Sequence, residues 1–184
     1  REVRTCCFVS NLIDLSISLL IAALFLLVGP QSIIQAQESG RLSSLAELKS
    51  ALSRVRQDSS TLDSLWGQLV DAGQIPFIDG DTVAFLYWGE AHSVTWRGDI
   101  TGWGNKPNLQ GLRVGETDLW VAVSSFPRDA RLEYFVVLDG TQVILDPANP
   151  RQAWGGIEIK SEFMMPDYQP SPVPLQTNSD TWRG

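Results

Sequence analysis

ARLEYFVVLDGTQVILD, residues 130–146, decides the fold. Arg131–Leu138 and Thr141–Asp146 are runs rich in β-branched and aromatic residues with a period of two, the pattern of strands with one face buried. Between them Asp139-Gly140 is a dipeptide that readily takes positive φ, so the two runs are expected to form a hairpin with a tight two-residue turn. The same period recurs on either side, in TVAFLYW (82–88), HSVTWR (92–97), DLWVAVSSF (118–126) and SEFMM (161–165), each run bounded by turn residues. Short strands at this spacing predict a mainly β chain folded as a sandwich.

Upstream of Asp81 the period lengthens. Leu42, Leu45, Leu48, Leu52 and Val55 recur at three and four within Arg41–Gln57 and define one stripe of an amphipathic helix. A second helical segment opens near Ser60, carries Leu62, Leu65, Trp66, Leu69 and Val70, and is expected to stop at Gly73, where glycine suits a left-handed cap. These helices are expected to lean on the sandwich or on a neighbouring domain.

The two ends read differently. Arg1 and Arg4 precede the apolar run LSISLLIAALFLLVG (15–29), which is followed by small residues, the order of a secretory signal peptide; cleavage is expected after Ala36, an uncleaved anchor being the alternative. The apolar run is short for a permanent membrane span. Beyond Met165, Pro166, Pro170, Pro172 and Pro174 deny a sheet its donors and mark a linker. The expected organisation is therefore a signal peptide at 1–36, a helical lead-in at 37–78, a sandwich at 79–166 and a Pro-rich linker at 167–184. The start at Arg1 and the linker's arrival at Gly184 are read as signs of a fragment.

Charge and residue content exclude several functions. The 184 residues hold 21 acidic and 14 basic side chains, a net charge of -7 that repels phosphate backbones, so nucleic acid is not an expected partner. A membrane is expected as a partner only through an uncleaved signal. Cys6 and Cys7 are adjacent and cannot build a metal cluster or a disulfide framework. The single histidine, His92, has no G-x-S-x-G elbow to serve, and neither phosphate-binding glycine loops nor zinc-ligand spacings occur. His92 is read as a surface residue at a hairpin edge. The paired carboxylates Asp79/Asp81 and Glu116/Asp118 lie in turn-rich stretches and are read as loop acids. No catalytic residue, metal site or cofactor is assigned.

Seven tryptophans are the more informative feature. Trp96 shares a strand face with Val94 and is expected in the core; Trp120 points away from Leu119 and Val121; Trp66 and Trp88 are expected to pack. Trp103 differs, because GDITGW (98–103) is a turn. There a large ring is either a lid on the sandwich end or a presented surface, and flat indole faces are platforms for sugar rings or partner surfaces. Trp103 is the candidate carbohydrate-binding residue.

VTWRGDITGW (94–103), DLW (118–120), ARLEYFVVLDG (130–140) and ILDPANPR (144–151) together resemble the early-set, immunoglobulin-like sandwich. That fold is shared by family-48 carbohydrate-binding modules, the glycogen-binding domain of the AMP-activated kinase β subunit and the N-terminal domains of enterochelin-esterase-like hydrolases. The esterase branch is the nearer resemblance, because SLWGQLVDAGQIPFID (64–79) before the first strand and SEFMMPDY (161–168) at the end are similar to segments of its members. The resemblance implies a non-catalytic accessory domain of an exported esterase, periplasmic or extracellular, which packs on its own C-terminal α/β-hydrolase domain and shapes substrate access. The glycogen-binding relatives imply an α-glucan partner instead, gripped by two tryptophans and a lysine. Trp103 matches the first tryptophan, but Phe135 stands at the lysine position and Gln142 or Val143 at the second tryptophan. One stacking contact of ~1 kcal/mol gives little affinity alone. A free-standing exported interaction domain, using the Leu42–Val55 stripe as its partner surface, is the remaining alternative.

Overall fold

The structure is a computed structural model and describes residues 40–154 and 156–170. The expected signal peptide or anchor, and the linker beyond Pro170, lie outside the described residues. From Ser43 onward the described residues belong to one compact unit.

Ser44 ends the extended lead and caps the first helix. Its hydroxyl accepts from Glu47 N at 3.3 Å while Glu47 Oε2 accepts from Ser43 N at 2.7 Å, so α1 runs Leu45–Gln57 rather than from Arg41. A 3-10 turn at Ser59–Thr61 follows, then α2 at Leu62–Asp71. α2 stops as expected. Gly73 takes φ 60° and donates to Val70 O, and Gln74 N reaches Leu69 O at 2.8 Å, satisfying the last carbonyls.

Two antiparallel sheets make up the rest. The first has the order β1-β2-β6-β5, from Phe77–Asp79, Thr82–Trp88, Leu119–Ser125 and Leu112–Arg113. The second has the order β4-β3-β7-β10-β9, from Leu109–Gln110, Val94–Gly98, Arg131–Leu138, Ile159–Met164 and Gln152–Trp154. β8, Gln142–Ile144, pairs with β7 beyond the point where β10 leaves it. The chain is a mainly β sandwich with short helices, as the period-two runs predict. The expected boundary at 78/79 falls inside β1.

Alternation explains both cores. Val83, Phe85 and Tyr87 of β2, Trp96 of β3, Tyr134 and Val136 of β7 and Phe163 of β10 interdigitate between the sheets. Phe85 sits edge-on to Tyr134 and Phe163 at centroid separations of 5.3 and 5.6 Å. The odd-numbered neighbours on β6 and the even ones on β2 face the other way, yet Ala84, Leu86 and Leu119 are fully buried. The helices cover them: Leu48, Val55 and Leu69 are buried, Trp66 meets Trp88 edge-on at 5.6 Å, and Leu45 N donates to Asp79 Oδ2 at 2.7 Å. This corrects the expected partner stripe, because Leu48, Ala51 and Val55 are buried in the unit itself and are not presented to a partner.

The Asp139-Gly140 hairpin is present with one difference. Both residues take positive φ, 52° and 73°, and Thr141 N donates to Leu138 O, but the ladder resumes only at Leu138–Gln142, so Thr141 joins the loop. The Asp139 carboxylate is engaged on the preceding strand: it accepts from His92 N and Ser93 N at 2.7 and 2.8 Å and anchors the turn to the start of β3.

Candidate functional site

Trp103 is built into position by the chain around it. β3 ends at Gly98, φ 150°, where a side chain would place Cβ 2.2 Å from Glu133 O. Only glycine lets the strand pass β7 this closely. A 3-10 turn at Asp99–Thr101 follows, and Gly102 and Trp103 both take left-handed φ, 61° and 52°. Trp103 N donates to Gly98 O at 2.9 Å. Asp99 fixes the ring: one carboxylate oxygen accepts from Trp103 Nε1 at 2.6 Å, the other from Glu133 N at 2.9 Å. The indole is thereby tied to the middle of the second sheet and remains 48% exposed. It is neither core nor freely projecting.

What lies against the ring comes from strands distant in sequence. Phe135 of β7 meets it edge-on at 6.2 Å, and Lys160 Nζ of β10 lies 5.1 Å from the ring centroid. Lys160 also pairs with Glu133 Oε2 at 3.3 Å, and Arg131 pairs with Glu162 at 2.5 Å. By alternation Arg131, Glu133 and Phe135 share the outer face of the second sheet with Lys160 and Glu162. The result is a flat indole edged by a cation and a row of ion pairs, suited to stacking and directional hydrogen bonds rather than to bond making.

Phe135, at the lysine position of the glycogen-binding pattern, is 5% exposed and supports the Trp103 ring. A lysine does reach the ring, but from Lys160. The run SEFMM begins at Ser161, two residues after the start of β10, and leaves Lys160 outside the register. Starting the alternation at Ile159 places Lys160 beside Phe135. Val143 is 40% exposed and lies on β8.

The other polar residues singled out have structural work. His92 is exposed, its ring 3.4 Å from Asp139. Asp118 pairs with Arg113, and Asp79 receives Leu45 N at the start of α1. In ILDPANPR, Asn149 donates to Tyr134 OH at 3.0 Å and Tyr134 OH donates to Asp146 Oδ2 at 2.8 Å; Asp146 Oδ1 takes Ala148 N at 3.0 Å. Asp146 and Asn149 are buried, and burial pushes the Asp146 carboxyl and the Tyr134 hydroxyl above their ordinary ranges. The bonds to Tyr134 close the loop onto β7, and Asp146 N to Ser161 Oγ at 2.8 Å with Asn149 Nδ2 to Glu162 O at 2.9 Å close it onto β10. Among the described residues no cluster of three or more His, Cys, Asp or Glu could hold a metal, and no helix is long and apolar enough to cross a membrane.

The geometry defines a mainly β sandwich that carries an ordered aromatic platform at Trp103. Neither the protein-family models nor the curated proteins contain a match to the sequence. Among solved structures, the chain is similar to the enterobactin esterase of Shigella flexneri in the presence of enterobactin. That likeness has 17% identity and a TM-score of 0.43, over 50% of this chain and 31% of that one. It is also similar to the ferric enterobactin esterase of Salmonella typhimurium, at 16% identity and a TM-score of 0.42, over 48% of this chain and 32% of that one. The chain thus spans about a third of the length of these esterases.

Proposed function

We propose that the chain is the non-catalytic accessory domain of an exported esterase, packing on an α/β-hydrolase domain that follows the linker and shaping the approach to its active site. One observation carries this reading. On the outer face of the first sheet the helices leave a contiguous apolar strip uncovered: Leu112, 71% exposed, is paired with Val121, and Val123, 47% exposed, follows on the same face. Single exposed apolar residues are ordinary; neighbours on one face mark a docking surface. The chain leaves the sandwich at the loop that follows β6, the strand that carries Val121 and Val123. Met165 N donates to Ala130 O, and Arg128, three residues past the end of β6, holds Asp167 at 2.7 and 3.0 Å. On this reading a domain joined through the linker starts from that end of β6 and docks on the strip. The coding sequence beyond Gly184 tests the reading: a G-x-S-x-G elbow within about two hundred codons is expected. A stop codon or an unrelated domain there overturns it.

The Trp103 platform favours α-glucan binding as a second reading. An indole already immobilised by Asp99 loses little entropy on stacking, and its ring remains 48% exposed for a sugar face. Titration with a soluble α-glucan should change tryptophan fluorescence in the parent and not in Trp103→Ala; equal responses, or none in either, rule it out.

A further inference from the structure

The hairpin of β9 and β10 carries a second apolar surface, one strand away from Lys160 of the Trp103 platform. β9 is the edge of the second sheet. Trp154, paired with Ile159, is 70% exposed, Ile159 is 46% exposed and Ile157 is 91% exposed. Edges of this kind are normally guarded by lysine, proline or a bulge, whereas β9 reads Gln152-Ala153-Trp154 with no charge and no proline.

We propose that this edge pairs with the same edge of a second copy of the chain, antiparallel and about a dyad at Ala153. The pairing follows from which backbone groups are open. Arg151 O accepts from Glu162 N, so by antiparallel alternation Ala153 bonds inward to Lys160, and Gln152 and Trp154 turn their N–H and C=O groups outward. A dyad at Ala153 sets Gln152 of one copy opposite Trp154 of the other, and these open groups satisfy each other reciprocally. Trp154 and its symmetry mate then lie on one face as diagonal neighbours, about 7–8 Å apart, within contact range of large rings, and Ile159 extends the strip on each side. Charge complements the register. Arg151 precedes β9 and Glu158 precedes β10, at opposite ends of the paired segment, and both are exposed. The dyad carries Arg151 of each copy to the Glu158 end of the other. A surface that matches itself in backbone polarity, apolar area and charge selects its own copy as occupant.

The test uses the full chain with Cys6→Ser and Cys7→Ser. Ala153→Cys in that background should form a disulfide-linked dimer on mild oxidation, because the dyad puts the two residue-153 Cα atoms within bridging distance. Thr141→Cys, on the β7–β8 turn, should not. Adding Trp154→Lys should cut cross-linking through residue 153 by about tenfold or more, the factor that 1.4 kcal/mol of lost association gives. Arg151→Glu and Glu158→Arg should each weaken it, and the two together should restore it. No cross-link at residue 153, equal cross-linking at residues 141 and 153, dimers indifferent to Trp154→Lys, or failure of the double charge reversal to restore pairing overturns the proposal. Thermal unfolding of each variant should match the parent, since Thr141, Arg151, Trp154 and Glu158 are exposed and Ala153 is half-buried and exchanged for a side chain only one atom larger; this separates lost pairing from lost folding.

Discussion

At the scale of single residues, two buried positions set what the sandwich tolerates. Gly98 occupies a backbone region that is essentially reserved for glycine, and the atoms a Cβ would meet, Glu133 O at 2.2 Å and Tyr134 Cα at 2.7 Å, are backbone. Gly98→Ala is expected to cost about 3 kcal/mol or more and to loosen the Trp103 loop, seen as a lower denaturation midpoint together with a changed near-ultraviolet tryptophan signal. Asp146 is the acceptor at the end of the Asn149–Tyr134 chain. Asp146→Ala strands the Tyr134 hydroxyl and should cost about 1–3 kcal/mol, whereas Asp146→Asn keeps an acceptor and should cost less at pH 7. The pH dependence distinguishes the groups. The folded carboxyl of Asp146 titrates above its ordinary 3.8, so the stability it contributes through protonation is complete below 3.8 and is lost as pH rises through the raised value. Asp139, held low chiefly by Ser93 N–H, and Asp167, held low by Arg128, act in the opposite sense: their contributions hold above 3.8 and fade on acidification through the lowered values. Asp146→Asn removes only the first effect. Its stability relative to the parent should therefore decline as pH falls from 7 towards 4, measured by denaturant unfolding at each pH; a constant difference would show that Asp146 does not titrate on folding.

At the scale of elements, the helices and the first sheet depend on one another. β2 is buried on both faces, Ala84 and Leu86 lying on the outer one that α1 and α2 cover, and Leu48 of α1 has no exposed surface. Leu48→Ala is expected to cost about 2–5 kcal/mol. The loss should appear as a shift of one transition, shared by far-ultraviolet ellipticity and tryptophan fluorescence; two separated transitions would mean that helices and sandwich fold independently. The same elements show what was legible in the sequence. Thr82–Trp88 and Arg131–Leu138 are strands with the bounds that alternation predicts, because each is long enough for a period of two to stand out. β1, β4, β5 and β9 went unread: two or three residues do not complete a period, and neighbours rather than local preference hold them in register. Trp103 was legible as an outlier because glycines surround it on a turn. Lys160 was not, since its approach to the ring depends on β7 and β10 pairing across a gap of some two dozen residues, and Trp154 sits in one of the strands too short to see.

At the scale of the whole molecule, the described residues leave uncovered the Trp103 platform, the β9 edge one strand from it, and the Leu112–Val123 strip on the other sheet. The strip is the one whose role depends on what is joined to the chain, and substitution there separates intrinsic stability from docking. Leu112→Lys with Val123→Lys removes no buried contact of comparable size, because both side chains already meet water, so the chain alone should unfold within about 0.5 kcal/mol of the parent. Joined to the domain proposed to follow the linker, the same pair of lysines would be buried without partners, at a cost of several kcal/mol that the assembly avoids by opening. The joined protein should then show two separate thermal transitions, and faster proteolysis near Pro166–Pro170, where the unaltered protein shows a single transition. Identical melting and cleavage of the altered and unaltered joined proteins would remove the strip as the docking surface, and with it the observation on which the accessory-domain reading stands.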